Sequence, residues 1–182
     1  MIEINGKVIK YPQENINTDL IIPARYLVDI NPQFLAKHCM EDLDGEFHKN
    51  KQNLQATILV SGSNFGCGSS REQAPIALKA SGIELIIAPS FARIFFRNAI
   101  NIGLPILRFS DVDAFNNGDL LNIDFGEGII ENITTSKSFS FSKFPAFLQK
   151  IIKLQGLTNF AKEQIKDSSV INKLNNSDEG AQ

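Results

Sequence analysis

With 182 residues, 43% of them hydrophobic, and 18 basic against 20 acidic side chains for a formal charge of −2, the chain has material for one buried core. Its basic residues form no long block, so nucleic acid and anionic membranes are not expected partners, and no apolar run nears the roughly 20 residues that cross a bilayer. The N-terminus MIEINGKVIK lacks the apolar centre of a signal peptide, which leads to the expectation of a cytoplasmic protein.

Glu3 to Lys10 alternates loosely and predicts a strand interrupted by a turn at Asn5-Gly6. "NINTDLIIPARYL" mixes turn formers with apolar residues, and Pro32 to Met40 has helical spacing. A second short helix and a loop are expected before Asn53, then a buried strand over Ala56 to Val60. "QAPIALKASG" predicts a helix stopped at Gly82. "ELIIA" is the next strand, and Ser90 is placed to cap a helix "FARIFFRNAIN" that ends at Gly103. "LPILRF" is a third short strand, so a parallel α/β core with right-handed crossovers follows. From Leu120, "LLNIDFGEGIIENI" and "SFSFSKF" read as a β-rich layer, closed by helices over Ala146 to Leu154 and Asn159 to Lys166. Residues 1–166 are expected to form one domain, and 167–182 a polar tail that is mobile or ordered only by a neighbour.

The densest chemistry lies in "NFGCGSSREQAP", Asn64 to Pro75, directly after a strand, where ligands of parallel α/β folds bind. Gly62, Gly66 and Gly68 free the backbone for unusual conformations. Two readings are open. Ser69 to Glu72 matches the S-x-x-E capping box and Ser70 to Gln73 its S-x-x-Q variant, with Pro75 making the first turn irregular. Alternatively, helix-start amides, two hydroxyls and the Arg71 guanidinium converge as an anion site suited to a carboxylate or phosphate. The lysine of a phosphate-binding P-loop is missing, the glycines of a nucleophile elbow are misplaced, and no histidine is at hand to activate a serine. Cys39 and Cys67 lack CxxC spacing and have only His38 and His48 to help, so neither a zinc site nor an iron–sulfur cluster is expected on this chain. Cys67 reads as a small residue in a crowded turn or as a reactive thiol.

"NTDLIIPARYL", "LAKHCMEDLD", "NFGCGSSRE" and "SFARIFFRNAINIGLPIL", in this order, resemble the small subunits of 3-isopropylmalate dehydratase, stand-alone counterparts of the swivelling fourth domain of aconitase. The similarity runs from about Gly6 to about Lys162. It implies a swivelling β/β/α domain, with a short parallel α/β core and a β-rich layer. It also implies interconversion of 2-isopropylmalate and 3-isopropylmalate in leucine biosynthesis, by removing water and returning it in the other sense. Such chemistry needs a base, a Lewis acid for the departing hydroxyl and clamps for two carboxylates. In the resembled family the Lewis acid is a [4Fe-4S] cluster on a separate large subunit, which is the implied partner, and the substrate is a small dicarboxylate. No cofactor or metal is expected on this chain.

By position in the motifs, the resemblance makes Ser69 the base, acting as an alkoxide, and makes Ser70 and Arg71 substrate-carboxylate contacts. Gly66, Gly68 and Glu72 then support the turn. Asp19 falls on an active-site aspartate, or else it belongs to a capping turn. Arg25 either reaches substrate or orders its loop. Leu27 and Val28 fall in the segment that touches the substrate's variable group. An aliphatic Val28 suits an isopropyl group, whereas relatives of homoaconitase type place an arginine there for a further carboxylate. Gln73 stands where many relatives have histidine, and Asn17 where an aspartate is common. Arg93 and Arg97, four apart on a helix, face a large subunit, internal ion pairs or solvent. Leu20 to Asn53 is expected to be mobile without the large subunit. Two other readings stand beside this one: the small subunit of homoaconitase or a related hydro-lyase, and a carboxylate-binding module without catalysis.

Overall fold

The computed structural model describes residues 2–166; the 167–182 tail lies outside the described residues. Seven strands form one mixed sheet in the order β4-β3-β2-β1-β5-β6-β7. The parallel half contains β1 (Glu3–Tyr11), β2 (Ala56–Ser61), β3 (Leu85–Ala88) and β4 (Ile106–Arg108). The antiparallel half adds β5 (Leu120–Asp124), β6 (Ile129–Asn132) and β7 (Lys137–Ser140).

The burial of each strand explains its letters. β3 is buried at every residue, because its two faces meet separate cores, and so reads as a continuous apolar run. Leu59, Ile86 and Ile106 pack with the helices, while Ile58, Leu85, Ile87 and Leu107 pack with Leu121, Ile123 and Phe125 of the antiparallel half, which curls over that face. β5 has one buried face and alternates accordingly.

Between β1 and β2 come α1 (Thr18–Ile21), α2 (Pro32–Lys37) and α3 (Phe47–Leu54). α4 (Gln73–Ala80) links β2 to β3, α5 (Arg93–Asn101) links β3 to β4, and α6 (Ala146–Lys153) follows the sheet, with further helix over 157–166. The turn expected at Asn5-Gly6 does not form. Both residues lie inside β1, paired with Asn122 and Leu121, because strands on either side of β1 outweigh the local turn preference. Gly6 has a packing reason instead: a Cβ there would collide with Thr57 Oγ1.

Candidate active site

Beyond the carboxyl ends of β1, β2 and β3, their three outgoing segments continue to hydrogen-bond as a second, smaller ladder. Isolated parallel bridges join Asn17 to Cys67 and Phe65 to Phe91. The Gly-Ser segment is the middle member. On one side Gly66 N–H donates to Ile16 O at 2.8 Å and Thr18 N–H to Cys67 O at 2.8 Å. On the other, Phe65 N–H donates to Ser90 O at 3.1 Å and Ala92 N–H to Phe65 O at 2.9 Å. A segment held on both sides is pre-organised and loses little entropy when it meets a ligand.

Within this frame Ser69 and Ser70 are exposed, and neither hydroxyl caps α4. The two capping boxes are therefore not formed. The N-cap of α4 is Glu72, which makes no side-chain capping bond. The Ser69 carbonyl instead accepts the Arg71 N–H at 2.9 Å and the hydroxyl of buried Thr18 at 3.0 Å. Pro75 is the third residue of α4, where an N–H would have no intrahelical acceptor, so the helix starts at Gln73 without disruption.

Asp19 is brought to the same place. Asn17 caps α1 by accepting the Leu20 N–H at 2.9 Å, and the short helix carries Asp19 to 2.5 Å from Arg71 Nη1. The same nitrogen donates to Ile22 O at 3.2 Å. The Arg71 side chain is 15% exposed and that of Asp19 52% exposed, so the arginine is held at the base of the site by a more open acid. Among the described residues, Arg71 Nε and Nη2 and the amides of Ser70, Glu72 and Gln73 have no protein acceptor. Donors gathered at the start of a helix favour an anion.

Residues 1–112 match the family model for the aconitase C-terminal domain. The 3-isopropylmalate dehydratase small subunit of Caldanaerobacter subterraneus subsp. tengcongensis is 56% identical over 164 residues, covering 90% of this chain and 100% of that one. Its counterpart from Clostridium acetobutylicum is 54% identical over 162 residues, covering 88% and 98%. The chain belongs to the family of 3-isopropylmalate dehydratase small subunits. A solved 3-isopropylmalate dehydratase from Methanocaldococcus jannaschii superposes with a TM-score of 0.82 at 39% identity, over 92% of this chain and 98% of that one.

In this family member the segment after α1 divides into an anchored and an open part. Ile21, Ile22, Leu35, Met40 and Phe47, within the Leu20–Asn53 segment, are core residues, and the most open stretch is 24–33, in which only Tyr26 and Leu27 are half-buried. Leu27 packs partly against the core, while Val28 is 87% exposed and Ile30 79% exposed. Val28 is not tucked into the core. Arg25 does not extend from the loop as a free cation: it donates to Asp42 at 2.6 and 2.9 Å and to Glu41 at 3.1 Å. Tyr26 stacks on His38 with centroids 3.6 Å apart and donates to Glu41 at 2.9 Å.

These contacts tie the open loop to its own stem. The His38 contact, with those of Tyr26 and Arg25, holds the Glu41 carboxyl below the usual carboxylate range, and Arg25 does the same for Asp42. Groups whose folded pKa is depressed stabilise the fold above their ordinary pKa, and that contribution is lost as pH falls through the folded value. The tether is therefore complete at neutral pH and is expected to release only below about pH 4. With Tyr11 replaced by phenylalanine, so that Asp44 titration is not read, tyrosine fluorescence should change in that acid window and, with Glu41→Gln added, should already be altered at pH 7. Release of the native loop between pH 6 and 7 would contradict this assignment.

Three supporting residues escape a reading of local sequence. Thr18 and Asn15 meet the Gly-Ser segment only through the fold, Asn15 Oδ1 accepting from Asn64 Nδ2 at 2.8 Å. Ser90 does not cap α5, whose N-cap is Ala92; its hydroxyl accepts the Asn64 N–H at 2.8 Å. The signal available was a polar residue directly after each parallel strand or its loop, which does not reveal its partner. Cys67 Sγ donates to Asn15 O at 3.4 Å, a further tie within the crowded turn.

Proposed function

We propose that this chain is the small subunit of a 3-isopropylmalate dehydratase that interconverts 2-isopropylmalate and 3-isopropylmalate through 2-isopropylmaleate in leucine biosynthesis. The observation that carries this reading is the ladder-held segment on which exposed Ser69 and Ser70 stand beside the Arg71–Asp19 pair. Ser69 takes the carbon-bound proton as an alkoxide, and returns it when water adds in the other sense. A serine is far too weak an acid for this unaided at neutral pH, so oxygen charge must be stabilised by the site. The acceptor-free amides at the start of α4 and the Arg71 charge are the sources within this chain.

Ser70 and the open edge of Arg71 bind a substrate carboxylate, Asp19 orients the guanidinium, and Leu27 and Val28 meet the isopropyl group. Gly66 and Gly68 shape the turn. Arg25 serves the site through its ion pairs with Asp42 and Glu41 rather than through substrate contact, and Glu72 as the residue from which α4 starts. Residues 1–166 act as one swivel domain. A [4Fe-4S] cluster does not fit this chain: Cys39 is buried, with its thiol pushed up to about 12 by burial, and among the described residues no three His, Cys, Asp or Glu side chains converge. We place the cluster on a large subunit, and the reaction in the cytoplasm.

The test is anaerobic isomerisation of 2-isopropylmalate by this chain mixed with a cluster-loaded large subunit. Turnover that needs both proteins is expected, with none by this chain alone. Turnover of homocitrate-type acids only would refute the substrate, and failure to form a complex would favour a binding module instead.

A further inference from the structure

α5 buries Phe95, Ala99 and Ile100 and turns Arg93, Ile94 and Arg97 outward. Arg93 and Arg97 are one helical turn apart, where like charges repel, and neither has a carboxylate partner among the described residues. The remaining arginines are engaged: Arg25 by Asp42, Arg71 by Asp19, and Arg108 over the Phe96 ring at 5.2 Å. Ile94, beside the two cations, is 50% exposed. A chain with more acidic than basic side chains thus leaves an uncompensated guanidinium pair around an aliphatic side chain.

This face adjoins the candidate site. Ala92, the N-cap of α5, donates to the Phe65 carbonyl, one residue before Gly66. The start of α5 thus flanks the same segment that carries Ser69, with Phe91 bridged to Phe65 and Phe95 packed against Gly66. Arginine is enriched in protein interfaces, and complementary charges steer association.

We infer that the Arg93–Ile94–Arg97 face of α5 docks the large subunit, against a surface that offers carboxylates to the two guanidiniums and an apolar patch to Ile94. The inference rests on the proposed function, since a partner that completes the site must approach it there. Carboxylates on the partner relieve the repulsion within the pair, and burial of Ile94 removes apolar surface from water.

The experiment measures association with the cluster-loaded large subunit by sedimentation velocity at several salt concentrations. R93E/R97E is expected to weaken association by about a hundredfold at low salt and to abolish the decline with salt shown by the native pair. R93K/R97K, which keeps the charge, should retain most of the affinity, and K137E on the distant β7 should bind as native. At saturating large subunit, R93E/R97E should recover native kcat and KM. Thermal melts of both arginine variants should match native, because neither side chain is paired or buried. Native association by R93E/R97E would overturn the inference, whether activity is unchanged, marking a solvated face, or KM is raised, marking substrate contact. Equal loss in K137E would also overturn it, by reducing the effect to net charge. If the native chain itself fails to associate, the proposed function falls as well, which separates the two failures.

Discussion

Ser69→Ala in the reconstituted enzyme is expected to lower kcat by about 10²–10⁴-fold, the range that a positioned general base supplies, with KM changed little. The hydroxyl is exposed and makes no capping bond, so its removal should leave the melting temperature near native. Thr18 separates position from chemistry. Its buried hydroxyl holds the Ser69 carbonyl at 3.0 Å without reaching the solvent-facing side of the loop. Thr18→Val should cost about 1 kcal/mol of stability and lower kcat by roughly ten- to a hundredfold, since small misplacements of a reacting group are costly. Thr18→Ser keeps the donor and should restore most of the rate. Native kcat in Ser69→Ala would refute the assignment of the base, and a Thr18→Val enzyme with native kcat would show that the loop holds its geometry without this bond.

Gly66→Ala is expected to be strongly destabilising. At φ +77° an alanine is strained, and its Cβ would overlap the Cβ–Cγ stem of Phe95, a core residue of α5 that is 2% exposed. Strain and overpacking together should cost about 3 kcal/mol, lowering Tm by roughly 10 °C for a chain of this size. Gly68 supplies the contrast. Its φ is +88°, yet the nearest atoms to an added Cβ are 3.5 Å away, at Asn17 and Thr18. Gly68→Ala should therefore cost only the backbone term, about 1–2 kcal/mol. Thermal melts of the two variants read the difference directly, and equal losses would mean that Phe95 moves aside.

The parallel core was legible because burial on two faces leaves a local mark: "ATILV", "ELIIA" and "LPILRF" are apolar runs, and each is a strand. The helix ends at Gly82 and Gly103 were legible for a similar reason, since φ of +90° and +71° suits glycine. Two misreadings share one cause. Asn5-Gly6 and Ser90 carry strong local preferences, and in each case a segment distant in sequence took the same groups: β5 and Asn64. The capping boxes fail differently, since Thr18 and the Arg71 N–H hold the Ser69 carbonyl while the serine hydroxyls stay uncommitted to α4.

The sequence by itself determined the fold class and the family, and it nominated the candidate site, because hydrophobic periodicity and ordered motifs are properties of neighbouring residues. Only the tertiary structure decided that Asp19 meets Arg71, that Arg25 is bound to Asp42, and that Gly66 is sterically closed whereas Gly68 is open. Those outcomes depend on which loops the sheet order places side by side. A hydrogen bond or ion pair across such loops leaves no periodic trace in either segment, since its geometry is set by the strands beneath them.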